Sequence, residues 1–147
     1  MPSTQNNLID VLSEQIHCAE AMLGTLAEET DALRQGDPEK LNSASASKAK
    51  LVEALEQLET ERRELTDAMQ VTLQSTEGSE AGRKWRRLLE LLAECRSTNI
   101  ENGNLVNARR EQITAALKLI RGNDTNGLYD ARGHAASSGR TQRLGSA

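Results

Sequence analysis

The chain has 147 residues, a net charge of −4 and only two aromatic side chains, Trp85 and Tyr129, with no Phe. That length gives one domain by the usual prior. A core without rings must be narrow and aliphatic, which disfavours a globule with a deep pocket and favours long helices. Residues 1–121 carry 15 basic and 20 acidic side chains, and 122–147 carry Arg132, Arg140 and Arg143 against Asp124 and Asp130. Neither balance is that of a nucleic-acid binder, so nucleic acid is not an expected partner.

Cys18 and Cys95 stand far apart, without a CxxC motif or paired histidines, so neither a disulfide framework nor a zinc site is expected. The first ten residues show no basic region followed by an apolar run, so no secretory signal is expected. No apolar stretch approaches the roughly 20 residues that span a bilayer. The expectation is a cytoplasmic protein that is not membrane-embedded.

Three heptad-spaced stripes follow in order. Helix one, about 4–35, has the seam Ile9, Leu12, Ile16, Ala19, Leu23, Leu26, Thr30 and Leu33, with steps alternating three and four. Leu8, Val11 and Met22 widen its apolar face, as for a helix that touches two neighbours. Gln35-Gly36-Asp37-Pro38 then ends one helix and starts the next. Gly36 suits the left-handed position, Asp37 the N-cap, and Pro38 the first helical position.

Helix two, about 38–74, carries Leu41, Ala44, Lys48, Leu51, Leu55, Leu58, Arg62, Leu65, Met69 and Thr72 on its seam. Lys48 and Arg62 sit there two heptads apart. Either their stems cover core while the charges reach water, or they fix register or bind an acidic group. The two glycines of Gly78-Ser79-Glu80-Ala81-Gly82 break the helix, and helix three follows over about 83–121.

Its seam is Trp85, Leu88, Leu92, Cys95, Asn99, Asn102, Val106, Arg109, Ile113, Ala116 and Ile120. The polar run 97–104 is a weak point for a helix. Asn99 and Asn102 either hydrogen-bond across the bundle or mark a kink. The expected fold is all-α: an elongated antiparallel three-helix bundle with coiled-coil-like packing over 1–121, and a flexible C-terminal tail over 122–147. Five glycines and three serines in that tail leave too little apolar surface to order it alone.

No catalytic set is visible, and no metal or cofactor is expected. His17 and His134 lack companions at ligand spacing, and the carboxylates lie on helix exteriors. Arg83-Lys84-Trp85-Arg86-Arg87 is a basic cluster neutralised by Glu77, Glu80, Glu90 and Glu94, so a salt-bridged face is the simplest reading. Trp85 itself fits a core anchor at the bundle end. An amphipathic helix handing over to a sticky tail suits a protein that holds another protein. Val106, Ile113, Leu117 and Ile120 would form the wall of such a groove, with the tail and its Leu128 clasping over it.

Nearly the whole chain resembles the FlgN family of flagellar export chaperones. The resemblance rests on a helix pair with Lys48 near the start of the second helix and on Trp85 opening the third. It continues with Cys95-x3-Asn99-x2-Asn102-Gly103 and a C-terminal Tyr129-Asp130-x2-Gly133. It implies a cytoplasmic type III export chaperone that binds the C-terminal helical segments of flagellar hook-filament junction proteins. Such a chaperone prevents premature assembly and delivers its clients to the export gate. The resemblance further implies that the end of helix three and the tail engage the client. Tyr129, with Asp130 and Gly133, would dock on the cytoplasmic domain of the export gate. The alternative is a self-associating coiled-coil structural or adaptor protein, in which each chain is half of a four-helix homodimer.

Overall fold

The computed structural model describes the backbone of residues 2–73 and 78–132 and the side chains of 4–73 and 78–122. Most of the described residues lie in three helices and none lies in a strand: α1 (Pro2–Gln35), α2 (Pro38–Met69) and α3 (Glu80–Arg132). The chain is an all-α three-helix bundle, and it divides into two compact units, Met1–Leu105 and Val106–Ala147.

The α1–α2 corner follows from its residues. Gly36 takes φ +68°, and the Asp37 N–H closes back on the Ala32 carbonyl at 3.0 Å. The Asp37 carboxylate accepts from the Lys40 N–H at 3.1 Å, with Pro38 in the first turn. The other corner differs from the seam expectation. α2 stops at Met69 rather than running to 74, because Gln70 adopts the left-handed conformation (φ 54°, ψ 41°). Its N–H donates to Asp67 O and that of Val71 to Thr66 O, both at 3.1 Å, which is the bond pair of a Schellman ending. No glycine announces this stop. β-branched Val71 and Thr72 prolong a helix poorly, and ending it there lets Leu73 turn into the core. α3 begins at Glu80 rather than about Arg83, since the Ser79 hydroxyl caps it by accepting from the Gly82 N–H at 3.0 Å. Glu80 in the first turn suits the positive end of the helix dipole.

Helix directions follow from the pairings within Met1–Leu105. Gln15 meets Glu59 and Glu29 meets Lys48, so α2 runs antiparallel to α1. Cys95 Sγ lies 3.5 Å from Ala19 O and Asn102 bonds Leu26 O, so α3 runs parallel to α1. One core cluster joins Leu8, Leu12 and Ala19 to Leu73, Ala81, Leu88 and Leu91, with Trp85, Leu65 and Met69 packed against it. A second joins Met22, Leu26 and Cys95, with Leu51 and Leu55 alongside. Each fully buried leucine contributes about 1.5–3 kcal/mol through the apolar surface it removes from water.

The innermost stripes depart from the expected seams at particular positions. In α1 they run Leu8, Leu12, Gln15, Ala19, Met22, Leu26, Glu29, Leu33, still with steps of four and three, while Ile9, Ile16, Leu23 and Thr30 are half-buried at the edge. In α3, Leu91 is buried where Leu92 was expected, and Leu92 and Asn99 are exposed. Thr72 on the α2 seam is likewise exposed, with Leu73 taking the buried place.

Two polar layers tie the three helices together. In the first, Gln15 Nε2 of α1 donates to Glu59 Oε2 of α2 at 3.2 Å. Arg62 grips the same carboxylate through Nε (2.9 Å) and Nη2 (2.6 Å), and its guanidinium lies 4.5 Å from the centre of the Trp85 ring of α3. In the second, Lys48 Nζ of α2 donates to Glu29 Oε1 of α1 at 3.4 Å and to Asn99 Oδ1 of α3. Asn102 Nδ2 donates to Leu26 O (3.1 Å) and Glu29 Oε1 (2.9 Å), and Thr30 Oγ1 donates to Asn102 Oδ1 (2.6 Å). Gln15 and Glu29, Arg62 and Lys48, and Trp85 and Asn99 are each separated by two heptads. The layers therefore lie about 21 Å apart at 1.5 Å per residue. A one-turn slip of any helix would misalign both layers at once, so they specify register and pairing. Lys48 and Arg62 thus follow the second of their two sequence readings and bind acidic groups. Asn102 bonds across the bundle, and α3 continues helical through Gly103.

Candidate protein-binding site

The second polar layer holds α3 at Asn102, one turn before Val106. Beyond that point the character of the helix changes. Val106 is half-buried, whereas Ile113 is 54%, Leu117 43% and Ile120 57% exposed. At about 100° per residue these four side chains fall on one stripe of the helix. Isolated exposed leucines are ordinary; three exposed apolar side chains in line with a half-buried fourth on one helix face make a candidate surface for a partner. Such a stripe can take an amphipathic helix, with apolar anchors at helical spacing filling the gaps between its own.

Of the other residues assigned to client or gate contact, Leu128, Tyr129 and Asp130 lie on the helical backbone of α3, which extends past Arg121 to Arg132. Their side chains are outside the described set, and Gly133 lies outside the described residues. The part of the expected tail from 133 to 147 is outside them as well. The sequence reading did not single out Leu119, 73% exposed on another face of the same segment, nor Leu89 and Ile100 earlier in α3. A stripe search discards apolar residues that fall off the chosen seam, so no signal marked them.

Charge also changes along the chain. Met1–Leu105 carries 19 acidic and 11 basic side chains, a net of −8. Residues 106–121 carry Arg109, Arg110, Lys118 and Arg121 against Glu111, a net of +3. In the basic cluster at the start of α3, Arg87 Nη1 lies 3.7 Å from Glu90 Oε2 and Arg83 Nη1 donates to Gly78 O at 2.7 Å. These are contacts of a solvated face.

Titration is perturbed at three places. The Arg62 guanidinium, helped by Gln15 and Arg63, holds the Glu59 carboxyl at about 2 against the opposing effect of burial. Burial pushes the Cys18 and Cys95 thiols up, with Glu14 and Glu94 adding to it. Thiols raised in this way are poor nucleophiles at neutral pH. Among the described residues no group of three His, Cys, Asp or Glu side chains could hold a metal ion. No described helix is long and apolar enough to cross a membrane.

A model of the FlgN protein family matches residues 1–137. No curated protein and no solved structure matches the chain.

Proposed function

The chain belongs to the FlgN family of flagellar export chaperones, and on that premise we propose that it is a cytoplasmic chaperone for the hook-filament junction proteins. It binds their C-terminal helical segments, keeps them from assembling early and brings them to the flagellar type III export gate. The observation that carries this reading is the exposed stripe of Ile113, Leu117 and Ile120, continuous in spacing with Val106. A client helix that pairs with other subunits only in the finished filament exposes an apolar face of its own before export. Laying that face on the stripe covers both and leaves the buried cores of Met1–Leu105 untouched.

In this reading the segment after Gly122 closes over the client through Leu128, while Tyr129, Asp130 and Gly133 engage the cytoplasmic domain of the export gate. The family is one of chaperones rather than enzymes, and binding is the whole of the proposed chemistry.

Ending the chain at Gly122 tests the arrangement. The truncated protein is expected to keep its cooperative melting while binding a junction protein's C-terminal segment more weakly in calorimetric titration. Undiminished binding contradicts the clasp. Concentration-dependent dimers in sedimentation at tens of micromolar, dissolved by Leu117→Asp, would favour the self-associating alternative instead.

A further inference from the structure

The stripe on 106–121 is bordered by cations, and their placement is not random. Taking Ile113 as the reference and about 100° per residue, Val106, Leu117 and Ile120 fall within about 40° of it. Arg109 then lies about 40° to one side, while Arg110 and Arg121 lie about 60° and 80° to the other. Glu111, the one acid of the segment, lies about 160° away on the opposite face. All three arginines are exposed, and among the described residues none takes part in an ion pair. The apolar stripe is therefore edged with guanidinium groups on both sides and kept free of carboxylates. Arginine offers a flat fork of donors that meets a carboxylate through two parallel hydrogen bonds, and it gives up water more readily than lysine does.

The contrast with the rest of the molecule sharpens the point. Residues 1–105 carry a net of −8, which disfavours acidic partners over most of that part of the chain, whereas 106–121 carry +3. We infer that the α3 segment 106–121 is a receptor for an acidic amphipathic helix, one whose apolar stripe is flanked by Asp or Glu side chains. This rests on the chaperone reading and gives it a chemistry: the client helix is chosen by carboxylates on both edges of its apolar face. A lipid surface is the weaker fit, because the stripe is narrow and holds no aromatic side chain.

The test uses the full chain and two synthetic amphipathic helical peptides with one apolar stripe, flanked by Glu in one and by Lys in the other. The Glu-flanked peptide is expected to bind about tenfold more tightly at low salt, with the preference fading as salt rises. The charge-reversed variant R109E/R110E/R121E is expected to invert the order. Equal binding of the two peptides overturns the inference. So does capture of vesicles of equal parts phosphatidylcholine and phosphatidylglycerol by the wild type but not the variant, when the peptide preference is the same in both. A dimer of the wild type that the variant dissolves would assign the face to the acidic unit of a second copy, and would also overturn it.

The junction protein's own C-terminal segment separates the two claims. Segment binding that survives charge reversal undiminished overturns the charge reading and leaves the chaperone reading standing. A wild type that prefers the acidic peptide yet ignores the segment overturns the chaperone reading and leaves the charge reading standing.

Discussion

Within α3, the stretch from Glu80 to Leu105 buries Ala81, Leu88, Leu91, Cys95 and Asn102, while the stretch from Val106 to Gly122 leaves Ile113, Leu117 and Ile120 open to solvent. Helical spacing of apolar residues continues through both. What differs is the partner: the first stretch has α1 and α2 in register against it, fixed by the polar layers at Trp85 and Asn99–Asn102. The lesson is that apolar periodicity reports a face to be covered without saying what covers it. In one stretch the cover is intramolecular; in the other it is proposed to be a client helix.

Substitutions at matched positions probe that difference most strongly. Leu88→Ala opens a void at a fully buried site and is expected to cost about 3 kcal/mol. Leu117→Ala is expected to change stability by no more than about 0.5 kcal/mol while weakening client binding. Chemical denaturation alongside titration separates the two, and equal stability losses would break the comparison.

Asn102→Ala comes next. It strips the Leu26 carbonyl, the Glu29 carboxylate and the Thr30 hydroxyl of one partner each, a loss of about 2 kcal/mol. A thermal melt unchanged by this substitution would remove the polar layer from the account of register.

The pH dependence is smaller. Glu59 titrates at about 2 in the folded chain against an ordinary 4.5, so it binds fewer protons folded than unfolded. Its contribution is complete above pH 4.5 and is lost as the pH falls toward 2. Glu59→Gln should flatten that part of the acid titration of stability, and a curve as steep as wild type would contradict the Arg62 assignment. The carboxylate is about one-third exposed, so the effect is modest.

The smallest test uses two glycines. A methyl group at Gly103 or Gly122 meets nothing within 4 Å, and Ala gains about 1 kcal/mol over Gly in a helix. Gly103→Ala is expected to raise the melting temperature of the bundle. Gly122→Ala should increase helicity by circular dichroism without moving that transition.

Much of the fold was legible in the sequence because heptad spacing, Gly36, Asp37 and Pro38 all act locally. The exact stripe was not. In α1 the buried positions include Gln15 and Glu29, so a search for apolar residues moves to Ile16 and Thr30 at the edge. In α3 the run Leu88-Leu89-Glu90-Leu91-Leu92 offers an apolar residue at several successive steps, and only packing against α1 selects Leu91. The roles of Lys48 and Arg62 stayed open in sequence because their partners, Glu29, Asn99 and Glu59, are chosen by tertiary contact. The end of α2 at Gln70 carries no glycine and so leaves no local mark. At the candidate site the stripe itself was visible, but its exposure was not, since exposed and buried seams share one periodicity.

The most direct measurement is backbone amide exchange along α3, free and with a junction protein's C-terminal segment. The account predicts strong protection for the residues around Leu88–Asn102 in both samples, with 106–122 exchanging readily when free and slowing when the segment is added. Protection of 106–122 that is already as strong in the free chain, or that does not change on addition, would contradict it.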